Sequence, residues 1–152
     1  MHEHKKTFLR TNQILDSLTL RNIFKVSNQG GMRRSLKTNS LVLIANHIKD
    51  RRSQYTENLE GKNIYEDQWK DDIFHYTGMV LKGDQSLEFA QNKTLYMSNK
   101  NGVDVYLFEV FVEREFTFSG KVKLVDEPSW VMQEDVEGNI RKVYIFHLKR
   151  IQ

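Results

Sequence analysis

The alternation of apolar and polar residues along the N-terminal half of the chain predicts one helix and two strands. Three apolar residues recur at helical spacing and predict a short helix over residues 10–20: Ile14, Leu15 and Leu18. The apolar run SLVLIANHI at 40–48 predicts a strand, and IFHYT at 73–77 predicts a shorter one. The polar residues between them are typical of a loop.

The C-terminal half is dominated by strand patterns. The segment GDQSLEFAQNKTLYMS at 83–98 opens with an Asp and a Ser ahead of apolar residues, which favours a helix. Three later segments are rich in Val, Phe, Tyr and Ile, as strands are: 103–112, 116–125 and 141–151. The sequence therefore predicts an α+β domain with a strongly curved sheet or barrel and a few flanking helices.

Length and composition narrow the class of protein. A chain of 152 residues with 39% apolar content suits one domain with a real core. The chain has no apolar run of the roughly 18 residues that a membrane span needs, and MHEHKKTFLRTNQ lacks the apolar stretch of a signal peptide. The absence of cysteine excludes disulfides and thiolate metal sites. These features favour a cytoplasmic protein.

The net charge of +3 conceals an uneven distribution along the chain. Residues 1–56 carry 11 Lys or Arg against 3 acids, whereas residues 57–152 carry 12 against 17. The first segment is therefore at +8 and the second at −5. Such a split favours an anionic partner on one side, and nucleic acid is the commonest candidate. A solvated basic face explains the same charges.

Catalytic motifs are weak. Asp50 followed by Glu60 and Lys62 imitates the Asp…Glu-x-Lys of metal-dependent nucleases, but the segment has little strand character. The five histidines show no ligand spacing: 2, 4, 47, 75 and 147. No nucleophile elbow or phosphate-binding loop is present. We expect no catalytic residues, no metal and no cofactor.

A binding pocket is better supported than an active site. The segment IYEDQWKDDIFHYTG brings several aromatic residues and acids together: Tyr65, Trp69, Phe74, Tyr76, Asp67, Asp71 and Asp72. Aromatic faces hold a flat heteroaromatic ring, and an acid accepts from an amino group such as N4 of cytosine. Phe74 is better explained as a core strand residue. Asp67, Tyr76 and Thr77 are the candidates for a pocket, with core packing of the aromatic residues and solvated acids as the alternative explanation.

Motifs in order along the chain resemble the SRA (YDG) domain, a reader of modified cytosine found in chromatin proteins and in modification-dependent restriction enzymes. The stretch YEDQWKDDIFHYTG resembles the family's Tyr-Glu-Asp-Asp, Phe and Tyr-Thr-Gly. FKVSNQGGMRRS with SLVL, DQSLEFAQNKTLYMSN, NGVDVYLFEV, FTFSGKVKLV and KVYIFHLKR resemble its other conserved blocks. The likeness begins near residue 22. It implies a PUA-like barrel over 22–152, preceded by a helical extension at 1–21.

The resemblance implies roles for the pocket residues. Tyr76 would stack on a base flipped out of the duplex, Asp67 would accept from the base edge, and Thr77 would bond near the same edge. Tyr65 would be the second stacking aromatic, although it precedes the Asp by two residues rather than three. Trp69 is the alternative for that place.

Two departures from the family pattern alter what the resemblance implies. Only residues 79–83 separate Tyr-Thr-Gly from Asp-Gln, so the basic finger of the chromatin members is missing. The YDG triplet is Phe118-Ser119-Gly120, and we interpret that position as structural. Discrimination between hemi-modified and fully modified sites by the finger is therefore not expected.

The sequence thus predicts a domain that recognises 5-methylcytosine or another 5-modified cytosine in double-stranded DNA by base flipping. It would serve a modification-dependent restriction system, with the nuclease on the rest of a longer chain or on a partner. Four basic residues are predicted to contact DNA phosphates: Arg33, Arg34, Lys37 and Lys93. An RNA-binding PUA-like module and a small Mg²⁺-dependent nuclease are the alternatives.

Overall fold

A computed structural model describes residues 9–48, 67–78, 84–134 and 137–151. Its strands are β1 (Ile14–Leu15), β2 (Met32–Ser35), β3 (Ser40–Asn46), β4 (Gln68–Lys70), β5 (Ile73–Thr77), β6 (Asp104–Val112), β7 (Glu115–Leu124), β8 (Ser129–Glu134) and β9 (Ile140–Arg150). Its helices are α1 (Ser17–Phe24), α2 (Ala90–Tyr96) and α3 (Ser98–Asn101). Over the same ranges, no helix has the length and apolar character to cross a membrane.

The strands of this part of the chain form one curled sheet. Its order is β2-β3-β6-β7-β9-β5-β4, with β1 added to β7 and β8 added to β9. Strands β3 and β6 pair in parallel, and the other pairs are antiparallel. This mostly-sheet architecture with few helices confirms the predicted fold class.

Two hydrophobic cores lie on opposite faces of the sheet, because successive residues of a strand point to opposite sides. The first core collects side chains from six strands and from α2, where Leu95 is fully buried. The second contains Leu20 and Phe24 of α1 packed on Val42 of β3. The predicted division between residues 21 and 22 falls inside α1, whose buried residues join this second core.

The helices begin later than the sequence pattern predicts, for identifiable reasons. Asp16 accepts a hydrogen bond from the Thr19 backbone N–H at 2.8 Å, so α1 starts at Ser17 rather than near residue 10. The predicted helix in 83–98 begins only at Ala90. The first residues of this segment bond to β9 instead of starting the helix. Asp84 and Gln85 accept hydrogen bonds from backbone N–H groups of β9 at 2.7 and 2.8 Å.

Gly78 follows β5 where three elements meet. Its N–H donates to the Tyr144 carbonyl at 2.9 Å, and its carbonyl accepts from the Gln85 side chain at 2.8 Å. A Cβ atom at this position would lie 2.7 Å from Gln85 Oε1 and 3.1 Å from Asn92 Oδ1. Only glycine fits here without moving two buried amide side chains.

We therefore expect Gly78→Ala to destabilise the fold. Inserting a methyl group into a packed, hydrogen-bonded site costs about 1–3 kcal/mol of unfolding free energy. Urea denaturation followed by circular dichroism measures the effect. An unchanged midpoint would mean that the Gln85 and Asn92 side chains can move aside freely, contrary to their burial.

Candidate functional site

Asp67 lies immediately before β4, and its carboxylate points toward the end of β5. Its Oδ1 atom accepts a hydrogen bond from the Thr77 backbone N–H at 2.7 Å. Burial raises the pKa of the Asp67 carboxyl to about 6, while the hydrogen bonding at Thr77 and the nearby His47 oppose that rise. A buried acid whose charged form is disfavoured is a candidate for a functional site.

The Thr77 hydroxyl lies beside the same carboxylate. Its Oγ1 atom is buried, yet it makes no hydrogen bond of good geometry to any residue of the structure as described. Buried hydroxyl groups in folded proteins nearly always have a partner. Asp67 and Thr77, a carboxylate acceptor beside a buried hydroxyl, are the candidate recognition pair of this site.

Tyr76 has an anchoring contact in the structure. Its side chain is 3% exposed, and its hydroxyl donates to the Gly31 carbonyl at 2.7 Å, with the Ile44 carbonyl 3.3 Å away. Burial and the charge of Asp67 raise the pKa of this hydroxyl. The ring packs in the first core at 6.5 Å from Phe74. Its predicted stacking on a base would require the site to open around it.

The indole ring of Trp69 makes contacts at its edge and on one face. The indole N–H donates to Glu109 Oε1 at 3.0 Å, and the Arg150 guanidinium lies 4.6 Å from the ring centre. Phe74 packs edge-on at 5.0 Å. Stacking of a base on the covered face would require Arg150 to leave it, so these contacts favour an anchoring role for Trp69.

Glu109 is the centre of a buried polar cluster that the sequence analysis missed. Besides Trp69, it accepts from the Ser119 hydroxyl at 2.6 Å and contacts His47 Nε2 at 2.8 Å. The His47 ring also stacks on the exposed Phe111 at 5.0 Å. The sequence signal was one acid within the apolar strand VYLFEVFV. A charge in such a run needs buried partners.

An open groove of about 450 Å³ lies beside this cluster. Two acids and two basic residues line it together with Trp69: Asp71, Asp72, Lys149 and Arg150. Lys149 and Asp72 form an ion pair at 3.6 Å. In the ranges that the structure covers, no group of His, Cys, Asp and Glu could hold a metal ion.

The four basic residues predicted to contact phosphate differ in how exposed their side chains are and in the hydrogen bonds that they already make. Arg34 holds the β2–β3 turn, because its guanidinium donates to the Ser35 and Ser40 carbonyls and to Asn39 at 2.6–3.1 Å. Arg33 is 7% exposed and donates to the Gly30 carbonyl at 2.8 Å, and its Nη1 has no partner within the described ranges. Lys37 and Lys93 are exposed. Lys93 lies 3.6 Å from Glu88.

The structure brings Asp67, Trp69, Tyr76 and Thr77 close together, because β4 pairs with β5 and Asp67 bonds to the end of β5. Tyr65 lies outside the described residues, as do the nuclease candidates Asp50, Glu60 and Lys62.

The fold and the sequence comparisons identify the class of protein. The chain is an SRA domain, and it belongs to the ScoMcrA-like SRA domains, whose family model matches residues 21–152. This confirms the resemblance found in the sequence. No curated protein sequence matches the chain significantly.

Solved structures share the fold at low sequence identity. The sulfur binding domain and SRA domain of ScoMcrA, complexed with phosphorothioated DNA, matches at 12% identity and a TM-score of 0.66 over 93% of this chain. The modification-dependent restriction endonuclease AspBHI matches at 16% and 0.67 over 95%. The DNA recognition domain of the cytosine modification-dependent endonuclease LpnPI matches at 15% and 0.64 over 92%. The chain spans 40%, 42% and 72% of these structures, respectively.

Proposed function

We propose that this SRA domain binds double-stranded DNA containing a 5-modified cytosine and flips the modified base into the site at Asp67. The recognition pair carries the proposal, since the fold buries a carboxylate acceptor beside a hydroxyl that has no well-formed hydrogen bond within the described residues. An acid accepts from the N4 amine of cytosine, and a hydroxyl beside it can donate to the ring acceptor next to that amine.

The burial of the pair supports base flipping. A base edge inside a duplex is already paired, so a buried site can reach it only when the nucleotide leaves the stack. Tyr76 and Tyr65 are the proposed stacking partners, with the site opening around Tyr76 as the base enters. Trp69 is the alternative partner, although its contacts favour anchoring.

The proposed setting is a modification-dependent restriction system in the cytoplasm, with the nuclease on another domain or subunit. The similarity to AspBHI and LpnPI supports this setting, because both are named as modification-dependent restriction endonucleases.

A fluorescence experiment tests base flipping. A duplex carries one 5-methylcytosine with 2-aminopurine as its neighbour, and unstacking of the neighbour raises the emission. We expect the emission to rise with this duplex. It should not rise when another base replaces the cytosine at that position, and an RNA duplex of equal length should not compete. No rise with any duplex, or full competition by RNA, would refute the proposal.

The exposed lysines allow a second test, of the DNA backbone contacts. Lys37 lies in the β2–β3 turn of the basic segment, and Lys37→Ala removes a charge without disturbing a described hydrogen bond. We expect the slope of log affinity against log salt to fall by about one, with modified and unmodified duplexes weakened equally. Arg33 and Arg34 are less suitable, because truncating Arg34 also opens its turn.

Lys100→Ala is the matched control, since Lys100 is exposed at the end of α3. It should leave the salt slope unchanged. If both variants give the wild-type slope, the phosphate contacts lie elsewhere on the domain.

A further inference from the structure

We infer that Glu109 is a positioning residue for the recognition pair: through the indole N–H of Trp69, it fixes the short strand β4 that follows Asp67. This inference rests on the proposed function and assigns a role to a residue that never touches the base.

The first argument is the free energy cost of burying the Glu109 carboxylate in β6. The residue lies in β6 between the buried Phe108 and Val110 and is itself 7% exposed. A buried carboxylate is unfavourable unless hydrogen bonds satisfy it, and an apolar residue of similar size would stabilise the strand as well or better. Its presence therefore requires a reason other than packing.

The second argument is the set of hydrogen bonds that the Glu109 carboxylate accepts. Its three donors come from three separate segments: Trp69 of β4, Ser119 of β7 and His47 after β3. Burial disfavours the charged form, but the hydrogen bonds from His47, Ser119 and Trp69 outweigh it and lower the pKa of Glu109. The group stays ionised at neutral pH and makes charge-assisted hydrogen bonds, which are the strong ones.

The third argument is the weak attachment of β4. This strand has three residues, lies at the end of the sheet order and pairs only with β5 among the strands of the structure as described. Trp69 is its middle residue and the anchor, held at its edge by Glu109 and on one face by Arg150. Arg150 in turn donates to the Ser119 carbonyl at 2.6 Å.

Asp67 lies two residues before Trp69, directly outside this strand. The direction of its carboxylate, and the 2.7 Å hydrogen bond that it accepts from Thr77, depend on how β4 lies against β5. A shift of about 1 Å in such a site can lower its discrimination severely, because directional hydrogen bonds weaken with misalignment. Glu109 thus acts on recognition through Trp69.

The test compares two variants with one control. Trp69→Phe keeps an aromatic ring but removes the N–H that Glu109 binds, and Glu109→Gln removes the charge. Ser119→Ala removes another donor to the same Oε1 atom from a strand that carries no part of the recognition pair. For each variant, affinity is measured for duplexes with 5-methylcytosine or thymine at one position, alongside the thermal midpoint.

Thymine is the informative competitor because both bases carry the 5-methyl group and differ at the edge that Asp67 faces. We expect Trp69→Phe and Glu109→Gln each to reduce the preference for 5-methylcytosine about threefold or more, consistent with the loss or weakening of one hydrogen bond. The double variant should be no worse than the poorer single one, because both changes act through the same Trp69–Glu109 hydrogen bond. Ser119→Ala should lower the preference less than either of these variants, because Trp69 stays bonded to the Glu109 carboxylate.

Three results would overturn the inference. If the wild-type protein prefers 5-methylcytosine and both variants keep that preference, Glu109 does not position the pair. If Ser119→Ala loses preference equally, the cluster is merely structural. If the wild-type protein itself shows no preference, the proposed function fails, and the inference fails with it.

Discussion

Replacing Asp67 with Asn should abolish the preference of the domain for 5-methylcytosine over thymine. The N4 amine of cytosine donates to the carboxylate, whereas O4 of thymine is an acceptor that the carboxylate repels. A hydrogen bond to a charged group contributes about 1.5–3 kcal/mol, so the wild-type preference should be about tenfold or more. In Asp67→Asn the amide oxygen keeps the hydrogen bond from the Thr77 N–H, so the amide NH2 group is left to donate toward the base, and the preference should fall to one or below.

Titration of matched duplexes at one salt concentration measures this ratio. Asp84→Asn is the control, because that acid accepts a hydrogen bond from β9 at 2.7 Å and lies outside the recognition pair. Retention of the wild-type ratio in Asp67→Asn would remove Asp67 from base recognition.

The same substitution should stabilise the free protein at neutral pH. The pKa of Asp67 rises from 3.8 to about 6 on folding, so the folded state binds this proton more tightly than the unfolded state. The resulting stability is fully present below pH 3.8 and is lost as the pH rises through 6. Above that range the ionised Asp67 costs about 3 kcal/mol, and Asn removes the cost while keeping an acceptor for Thr77.

Urea denaturation of both proteins between pH 3 and pH 8 tests this effect. The free energy difference between variant and wild type should be near zero at the acid end, rise between pH 4 and 6, and then stay constant. Glu109 has a lowered pKa and contributes the opposite trend, but it is common to both proteins, so the difference keeps only its coulombic coupling to Asp67. A variant less stable than wild type at pH 8 would show that the charge of Asp67 supports the fold.

The charge of Asp67 is therefore expected to lower the stability of the fold and to be required for recognition of the base. A buried acid that weakens the fold and is needed for recognition is expected at a binding site. If Asp67 had a purely structural role, the Asp67→Asn protein would be less stable than the wild type.

The strands with clear periodicity were predictable from the sequence. Strands β3, β5, β6, β7 and β9 lie where the apolar patterns place them, because each buries at least one face in a core. Strand β8 was missed, since it lies at an edge and Trp130 and Met132 are exposed, which leaves no clean alternation. Strand β4 has only three residues and no pattern of its own.

The site was predictable only in part. The resemblance predicted neighbouring roles for Asp67 and Thr77, and the structure places the two residues in contact. Glu109 and His47 are 62 residues apart, and their contact depends on the parallel pairing of β3 with β6. No local pattern carries that pairing. The hydrogen bonds of Arg34 to the β2–β3 turn were not predictable either, because their acceptors are carbonyl groups and a side chain that only the folded turn brings to the guanidinium.

The measurement that tests the central claim most directly is a binding panel of duplexes that differ only in the 5-substituent of one cytosine. Flipping and stacking contribute nearly equally for cytosine and 5-methylcytosine, so only the methyl group separates them. Burying one carbon contributes about 0.8 kcal/mol, and we expect about fourfold tighter binding of the methylated duplex at fixed salt. Equal affinity for every member of the panel would contradict recognition of a modified base by this domain.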